Sequence, residues 1–129
     1  MDVNKEYFQS CKNSLYFYED LLKLIASMEG KDYLLYTADG NPYESIYIRA
    51  KVENGCLTIT DSEFEHAPGD GAWATRIIFD EVNTRRVFAF LTEVSEDPIK
   101  ELSGMISYRN RTRVFLAYCE ARGIEWKET

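Results

Sequence analysis

The sequence predicts one α+β domain over residues 1–129, with a long N-terminal helix, a mainly antiparallel sheet of about five strands, and a C-terminal helix or kinked helix pair. Apolar residues recur at helical spacing near the N-terminus, alternate with polar ones around a central Asn-Gly pair, and return to helical spacing near the C-terminus. The 129 residues are 45% hydrophobic. A chain of this size fills one core without disulfide or metal staples, and two full domains do not fit.

The first element is a helix over about residues 4–29. Its apolar positions are three and four residues apart, which is the period of one helical face. Gly30 follows, where a left-handed C-terminal cap is favourable. The stripe is broad enough to predict packing against a sheet, and it comprises Phe8, Cys11, Leu15, Tyr18, Leu22 and Ile25.

Strands follow, first over 33–37 and then on either side of a tight turn. Residues 46–53 alternate between apolar and polar side chains, and Asn54-Gly55 favours the positive backbone angles of a two-residue hairpin. That turn predicts a register in which Glu53 faces Cys56, and every apolar partner then lies on one face of the pair. A slip of one residue would turn the same side chains toward water, so the turn and the burial pattern agree on the register.

The stretch Asp61–Gly71 has four carboxylates, no Lys or Arg, one Pro and two Gly, which predicts a solvated loop. Beyond it, residues 73–79 alternate in polarity, and residues 87–94 form another β-prone segment after a polar connection. These two segments predict a second hairpin, which brings the strand count to about five.

Asp97-Pro98 marks the entry of a helix, since Asp accepts hydrogen bonds from the first free amides and Pro has no amide to leave unsatisfied. The helical phase is lost through 107–110 and then resumes, which predicts a kink or two consecutive helices. Gly123-Ile124 suits a cap in which the Ile folds back onto the last turn. The resulting order is loosely similar to that of small acidic secretion chaperones, which carry a further helix between two groups of strands, at a position corresponding to Asp61–Gly71.

Several classes of function lack their usual motifs. The three cysteines form no CxxC pair and are expected to be reduced core residues, namely Cys11, Cys56 and Cys119. No phosphate-binding loop, dinucleotide fingerprint, GxSxG, HExxH or calcium-loop pattern occurs. We therefore expect no catalytic residue, metal or cofactor. The polar N-terminus and the lack of an apolar run of roughly 20 residues predict a cytoplasmic protein without a membrane span.

Charge decides between protein and nucleic acid partners. The chain has 15 Lys and Arg against 22 Asp and Glu, and the whole net charge of −7 lies in residues 1–94. The main basic cluster, Tyr108–Arg113, has aromatic and arginine groups of the kind that stack on bases and pair with phosphates. A phosphate polymer would nevertheless meet a repulsive body. We expect no nucleic acid partner, and we expect these arginines to pair with the protein's own carboxylates.

These patterns favour a small acidic, non-enzymatic protein-binding module that presents its acidic surface to a basic protein, as an inhibitor, immunity protein, chaperone or phage antagonist does. Clustered carboxylates accelerate encounter with a positive partner, and tyrosines provide contact area at low entropic cost. The expected partner-binding residues are Asp61, Glu63, Glu65, Asp70, Tyr43 and Tyr47.

Two alternatives stay open at this stage. A small enzyme or ligand-binding domain would use a polar site near residues 61–71, formed by Asp61, Glu63, His66 and Arg76. Carboxylates and an imidazole are also cation ligands, but their spacing here matches no metal motif. The other alternative is a homo-oligomer with a structural role, such as a homodimer.

Overall fold

The computed structural model of the protein describes residues 18–38, 44–65, 72–93 and 95–129. Within these ranges it has an α+β fold with four helices and a five-stranded antiparallel sheet of order β1-β2-β3-β4-β5, which confirms the predicted fold class. None of the described helices is long and apolar enough to cross a bilayer. The elements are α1 (Tyr18–Ser27), β1 (Asp32–Ala38), β2 (Glu44–Glu53), β3 (Cys56–Glu65), β4 (Ala72–Ile78), α2 (Glu81–Leu91), α3 (Pro98–Gly104), α4 (Arg113–Ala121) and β5 (Lys127–Glu128).

The predicted long N-terminal helix is not confirmed at its full length. Helix α1 has 10 residues and buries Leu21 and Ile25; the predicted part over residues 4–17 lies outside the described residues. Gly30 has the expected left-handed φ of 76°, and its amide donates to the carbonyl of Val52 at 2.7 Å. The glycine thus turns the chain onto the end of β2 after the helix has ended.

The central hairpin has the register that the sequence predicts. Glu53 pairs with Cys56 across the turn, and both Asn54 and Gly55 have positive φ. Alternate side chains of these strands are buried on one side of the sheet, which we call the inner face. The other side is the outer face. The buried inner-face residues of β2, β3 and β4 are Ile46, Ile48, Ala50, Val52, Leu57, Ile59 and Ile77.

The prediction of a solvated loop over Asp61–Gly71 is wrong for its first half. Residues 61–65 continue β3, and they pair with β2 on one side and with β4 on the other as far as Phe64. Ladder bonds to two neighbouring strands satisfy the backbone groups of this segment despite its acidic side chains. The acidic side chains of residues 61–65 therefore belong to a paired strand, and residues 66–71 lie outside the described residues.

The predicted strand at 87–94, and with it the second hairpin, is also wrong. This region belongs to helix α2, whose N-cap Asp80 accepts a hydrogen bond from the Asn83 amide at 2.7 Å. All side chains from Val87 to Leu91 are buried, so the helix is apolar around most of its circumference and carries no clear period. The fifth strand is instead β5, which pairs with β4 from the C-terminus.

The C-terminal region forms two consecutive helices, as predicted. Asp97 caps α3 by accepting from the Lys100 amide at 3.1 Å, and Pro98 occupies its first turn. After α4, Gly123 has φ of 69° and the Ile124 amide donates to the Cys119 carbonyl at 2.9 Å. Side chains from all four helices join the inner face in one hydrophobic core, including Leu21, Ile25, Val87, Phe88, Leu102, Phe115 and Cys119.

Candidate functional site

Strand β3 changes character along its inner face. Leu57 and Ile59 are fully buried in the core, and the next two inward positions are Asp61 and Glu63. The carboxylate side chains retain only 17% and 16% of their exposure, respectively. Two acidic groups are therefore held partly out of water at the end of the core, where an ionised carboxylate needs a partner.

Arg111 supplies that partner from the connection between α3 and α4. Its Nη1 donates to Asp61 Oδ1 at 2.6 Å, and its Nη2 donates to Glu63 Oε1. The arginine has φ of 53°, its amide donates to the Ser107 carbonyl, and its Nε donates to the Tyr108 carbonyl at 3.2 Å. The turn thus aims one planar fork at two carboxylates, a geometry that a lysine ammonium cannot reproduce.

Burial still dominates the titration of Asp61. Desolvation is the largest cause and raises the pKa of its carboxyl above the usual 3.8, and the charge of Glu63 raises the pKa further. The charge and the hydrogen bond of Arg111 lower the pKa, but the pKa stays raised on balance. The pair of acids shares one cation, so Arg111 cannot neutralise both in full. The expectation that an arginine of the Tyr108–Arg113 cluster pairs with the protein's own carboxylates is confirmed for Arg111.

An open cleft of about 570 Å³ lies over this ion-pair network. Its floor contains Thr75 of β4, which pairs with Asp61 of β3. Two more arginines, one in the α3–α4 connection and one at the start of α4, stand beside Arg111. We call this site the arginine cleft and define it by Asp61, Glu63, Thr75, Arg109, Arg111 and Arg113.

Of the other predicted residues, the two whose side chains the structure describes, Arg76 and Tyr47, do not line this cleft. Arg76 alternates with Thr75 and therefore lies on the outer face, where it lines a separate cleft of about 490 Å³ with Arg49 and Lys51. Tyr47 is also on the outer face, half-buried, with its ring 6.0 Å from the Arg49 guanidinium carbon. The side chain of Glu65 and the whole of Tyr43, His66 and Asp70 lie outside what the structure describes.

Among the described members of the alternative ligand site, the structure brings together two of the three. Asp61 and Glu63 come together, whereas Arg76 is separated from them by the sheet. The cation that pairs with these acids is Arg111 of the Tyr108–Arg113 cluster, 50 residues away from Asp61 in the sequence. The cluster itself was visible in the sequence, but its meeting with β3 depends on how α3 and α4 pack.

A second group of carboxylates surrounds the Asn54-Gly55 turn, at the opposite end of β3. Glu29 accepts hydrogen bonds from the amides of Asn54 and Gly55, the latter at 3.2 Å. A Cβ on Gly55 would lie 3.2 Å from Glu81 Cγ, so that side chain also reaches the turn. We call this group, together with Glu125 in the neighbouring cleft that Cys56 lines, the acidic surface; its exposed members are Glu29, Glu53, Asp80, Glu81 and Glu125.

Burial and the negative charge of the acidic surface raise the pKa of the Cys56 thiol. Burial is the largest cause, and Glu81, Asp80 and Glu29 raise the pKa further. The cysteine also lines a cleft of about 350 Å³ with Asp80, Asn83 and Trp126. We call it the tryptophan cleft; it is bounded by the end of β4 and the C-terminal segment, and its apolar wall combines Cys56, Ile78, Phe79 and Trp126.

The acidic surface was not predicted, although parts of its signal are in the sequence. Asp80 followed by Glu81 is a helix start, with a capping carboxylate and an acid in the first turn. That pattern competed with a β-prone run and would have identified α2. Glu29 and Glu125 have no local signal, because only the fold brings them to the turn.

Comparison of the chain with protein-family models, curated proteins and solved structures finds no match. Within the described residues, no group of three or more His, Cys, Asp or Glu side chains is arranged to hold a metal ion.

Proposed function

We propose that the protein is a non-enzymatic protein-binding module whose acidic surface receives a positively charged segment of a partner protein. The observation that carries this proposal is the gathering of exposed carboxylates from four separate parts of the chain around one turn. In the described parts of the chain, the five carboxylates form ion pairs with two cations, Lys51 and Arg85, and a third, Lys127, lines the adjoining cleft. The surface keeps a net negative charge after its own ion pairs are counted.

The tryptophan cleft supports the same proposal. An interface needs desolvated apolar contact as well as charge, and aromatic residues in pockets contribute much of the binding energy. Trp126 lines this cleft together with Asp80 and Glu125. A Lys or Arg side chain can lay its apolar stem on the indole and place its charge between the two carboxylates.

The residues proposed from the sequence contribute differently. Asp61 and Glu63 are engaged by Arg111 and retain only 17% and 16% of their exposure, so a basic partner has less access to them than to the exposed carboxylates of the acidic surface. Tyr47 lies on the outer face, away from the turn. The proposed contact region is accordingly the acidic surface with the tryptophan cleft.

The test is a comparison of two variants that lose the same charge. Glu81→Gln with Glu125→Gln removes two exposed carboxylates from the acidic surface, and Glu19→Gln with Asp20→Asn removes two from α1. The wild type, used as bait in its native cells, should retain a stoichiometric partner whose affinity falls with salt. The first variant should weaken that affinity by about tenfold, as expected for truncated charge pairs at an interface.

The α1 variant should bind the partner as the wild type does. Equal weakening by both variants would reduce the effect to net charge and contradict the assigned surface. Absence of any stoichiometric partner at low salt would contradict the protein-binding function itself.

A further inference from the structure

The arginine cleft has a charge balance opposite to that of the whole chain. Three arginines face two carboxylates there, so the cleft is net positive on a protein whose formal charge is −7. Arg111 is committed to Asp61 and Glu63 through both of its terminal nitrogens. The excess charge therefore belongs to Arg109 and Arg113.

These two arginines share one rim. Arg113 Nη2 donates to the Arg109 carbonyl at 3.4 Å, which brings its guanidinium across the backbone of the other residue. Both residues are exposed, and neither has a carboxylate within ion-pair distance in the described parts of the chain. Two neighbouring cations in this state repel each other, and one anion placed between them removes that repulsion.

The start of α4 adds to the positive electrostatic potential of the arginine cleft. Helix α4 has nine residues, its N-cap Thr112 makes no side-chain capping bond, and no acidic residue lies in its first turn. The partial positive charge of the helix start is therefore not offset by the protein's own side chains. This contribution adds to the arginines, which carry the argument.

We propose that the arginine cleft binds a single phosphate group, carried either by a small molecule or by a side chain of another protein. A phosphate dianion offers enough oxygens to accept from Arg109 and Arg113 together, and guanidinium groups match its geometry. The carboxylates on the floor keep the anion at the rim, and the acidic body disfavours a long polyanion. A single phosphate group is small enough to lie at the rim and too short to extend over the acidic body.

The experiment is a titration with inorganic phosphate at constant ionic strength, followed by backbone amide NMR shifts. The wild type should show saturable shifts centred on residues 108–114. Arg109→Gln with Arg113→Gln should weaken binding by about tenfold or more, because charge-assisted hydrogen bonds are lost. The matched control is Arg49→Gln with Arg76→Gln, which removes the same charge from the outer face and should bind like the wild type.

The source of the phosphate is tested by a peptide containing phosphoserine and its unmodified twin. Tighter binding of the phosphopeptide than of free phosphate assigns the cleft to a protein side chain, and equal binding assigns it to a small molecule. Shifts that do not saturate, or equal weakening by both arginine variants, would overturn the proposal. Because Glu81 and Glu125 are untouched, failure here leaves the acidic-surface proposal standing and is distinguishable from its failure.

Discussion

The inner-face side chains of β3 are apolar at one end of the strand and charged at the other. At the turn end, Leu57 and Ile59 are fully buried among apolar neighbours. At the far end, Asp61 and Glu63 occupy the next inward positions and depend on Arg111. One strand therefore passes from a dry core to a charged cleft without any change in its pairing.

Backbone register in β3 depends on residues close in the sequence, whereas the pairing of its charged side chains depends on residues far away in the sequence. The register follows from a turn of two residues and from alternation along neighbouring strands. The neutralisation of the acids requires an arginine 50 and 48 residues further along the chain. Local rules thus decide where an acid points, and tertiary packing decides whether that acid is free.

The largest expected effect comes from a substitution at the apolar end of β3. Leu57→Ala removes a fully buried side chain and should lower the free energy of unfolding by about 2–5 kcal/mol, measured by urea denaturation. Leu34→Ala is the matched control, since Leu34 is 53% exposed and should change stability by about 0.5 kcal/mol or less. Similar losses at both positions would mean that the inner face is not the core.

The next largest effect comes from removing the cation at the charged end of β3. Arg111→Met leaves two mostly buried carboxylates without their cation, and the free energy of unfolding should fall by about 1–3 kcal/mol at neutral pH. This range is below that of a fully buried pair, because the three side chains retain 16–22% exposure. Urea denaturation provides the measurement.

A charge-free triple variant separates the ion pair from simple packing. Asp61→Asn, Glu63→Gln and Arg111→Met together remove all three charges of the network, so the triple variant should be more stable than Arg111→Met alone. If the triple variant is the less stable of the two, the two carboxylates do not cost stability without their cation and the electrostatic account of this end is wrong.

Most of the fold follows from local patterns, and its errors arise where the pattern is ambiguous. Asn54-Gly55 predicts the hairpin register, and Asp97-Pro98 predicts the start of α3. The apolar run over 87–91 has no single period because the helix is buried nearly all round, so it was interpreted as a strand. The acids of β3 were interpreted as loop because composition alone does not reveal that an arginine covers them.

The candidate site could be predicted only in part for the same reason. Asp61 and Glu63 were selected as a polar pair, and the Tyr108–Arg113 cluster was identified separately. Their meeting depends on the packing of α3 and α4, for which the sequence has no short-range signal. Arg76 lies on the opposite face of the sheet from Asp61 and Glu63, which follows from strand alternation only once residues 61–65 are recognised as part of β3.

A smaller effect tests the turn that fixes the register. Gly55→Ala places a Cβ at a left-handed φ of 76° and 3.2 Å from Glu81 Cγ, so the free energy of unfolding should fall by about 1–2 kcal/mol. Gly104→Ala is the control: nothing lies within 4 Å of its added Cβ, and its φ is not left-handed. Thermal denaturation should show no loss for Gly104→Ala, and a loss as large as that of Gly55→Ala would argue against the turn's role.

The smallest expected effect concerns the pH dependence that Asp61 contributes. Its pKa is raised in the folded protein, so the folded state binds this proton more tightly than the unfolded state. The ionised carboxylate therefore disfavours folding, a cost that is absent below the ordinary pKa of 3.8 and grows until the pH exceeds the raised folded value. Asp61→Asn cannot ionise, so its stability relative to wild type should rise with pH across that window. Urea denaturation from acidic to neutral pH measures the difference; a relative stability that falls with pH would show that Arg111 outweighs desolvation at this carboxylate.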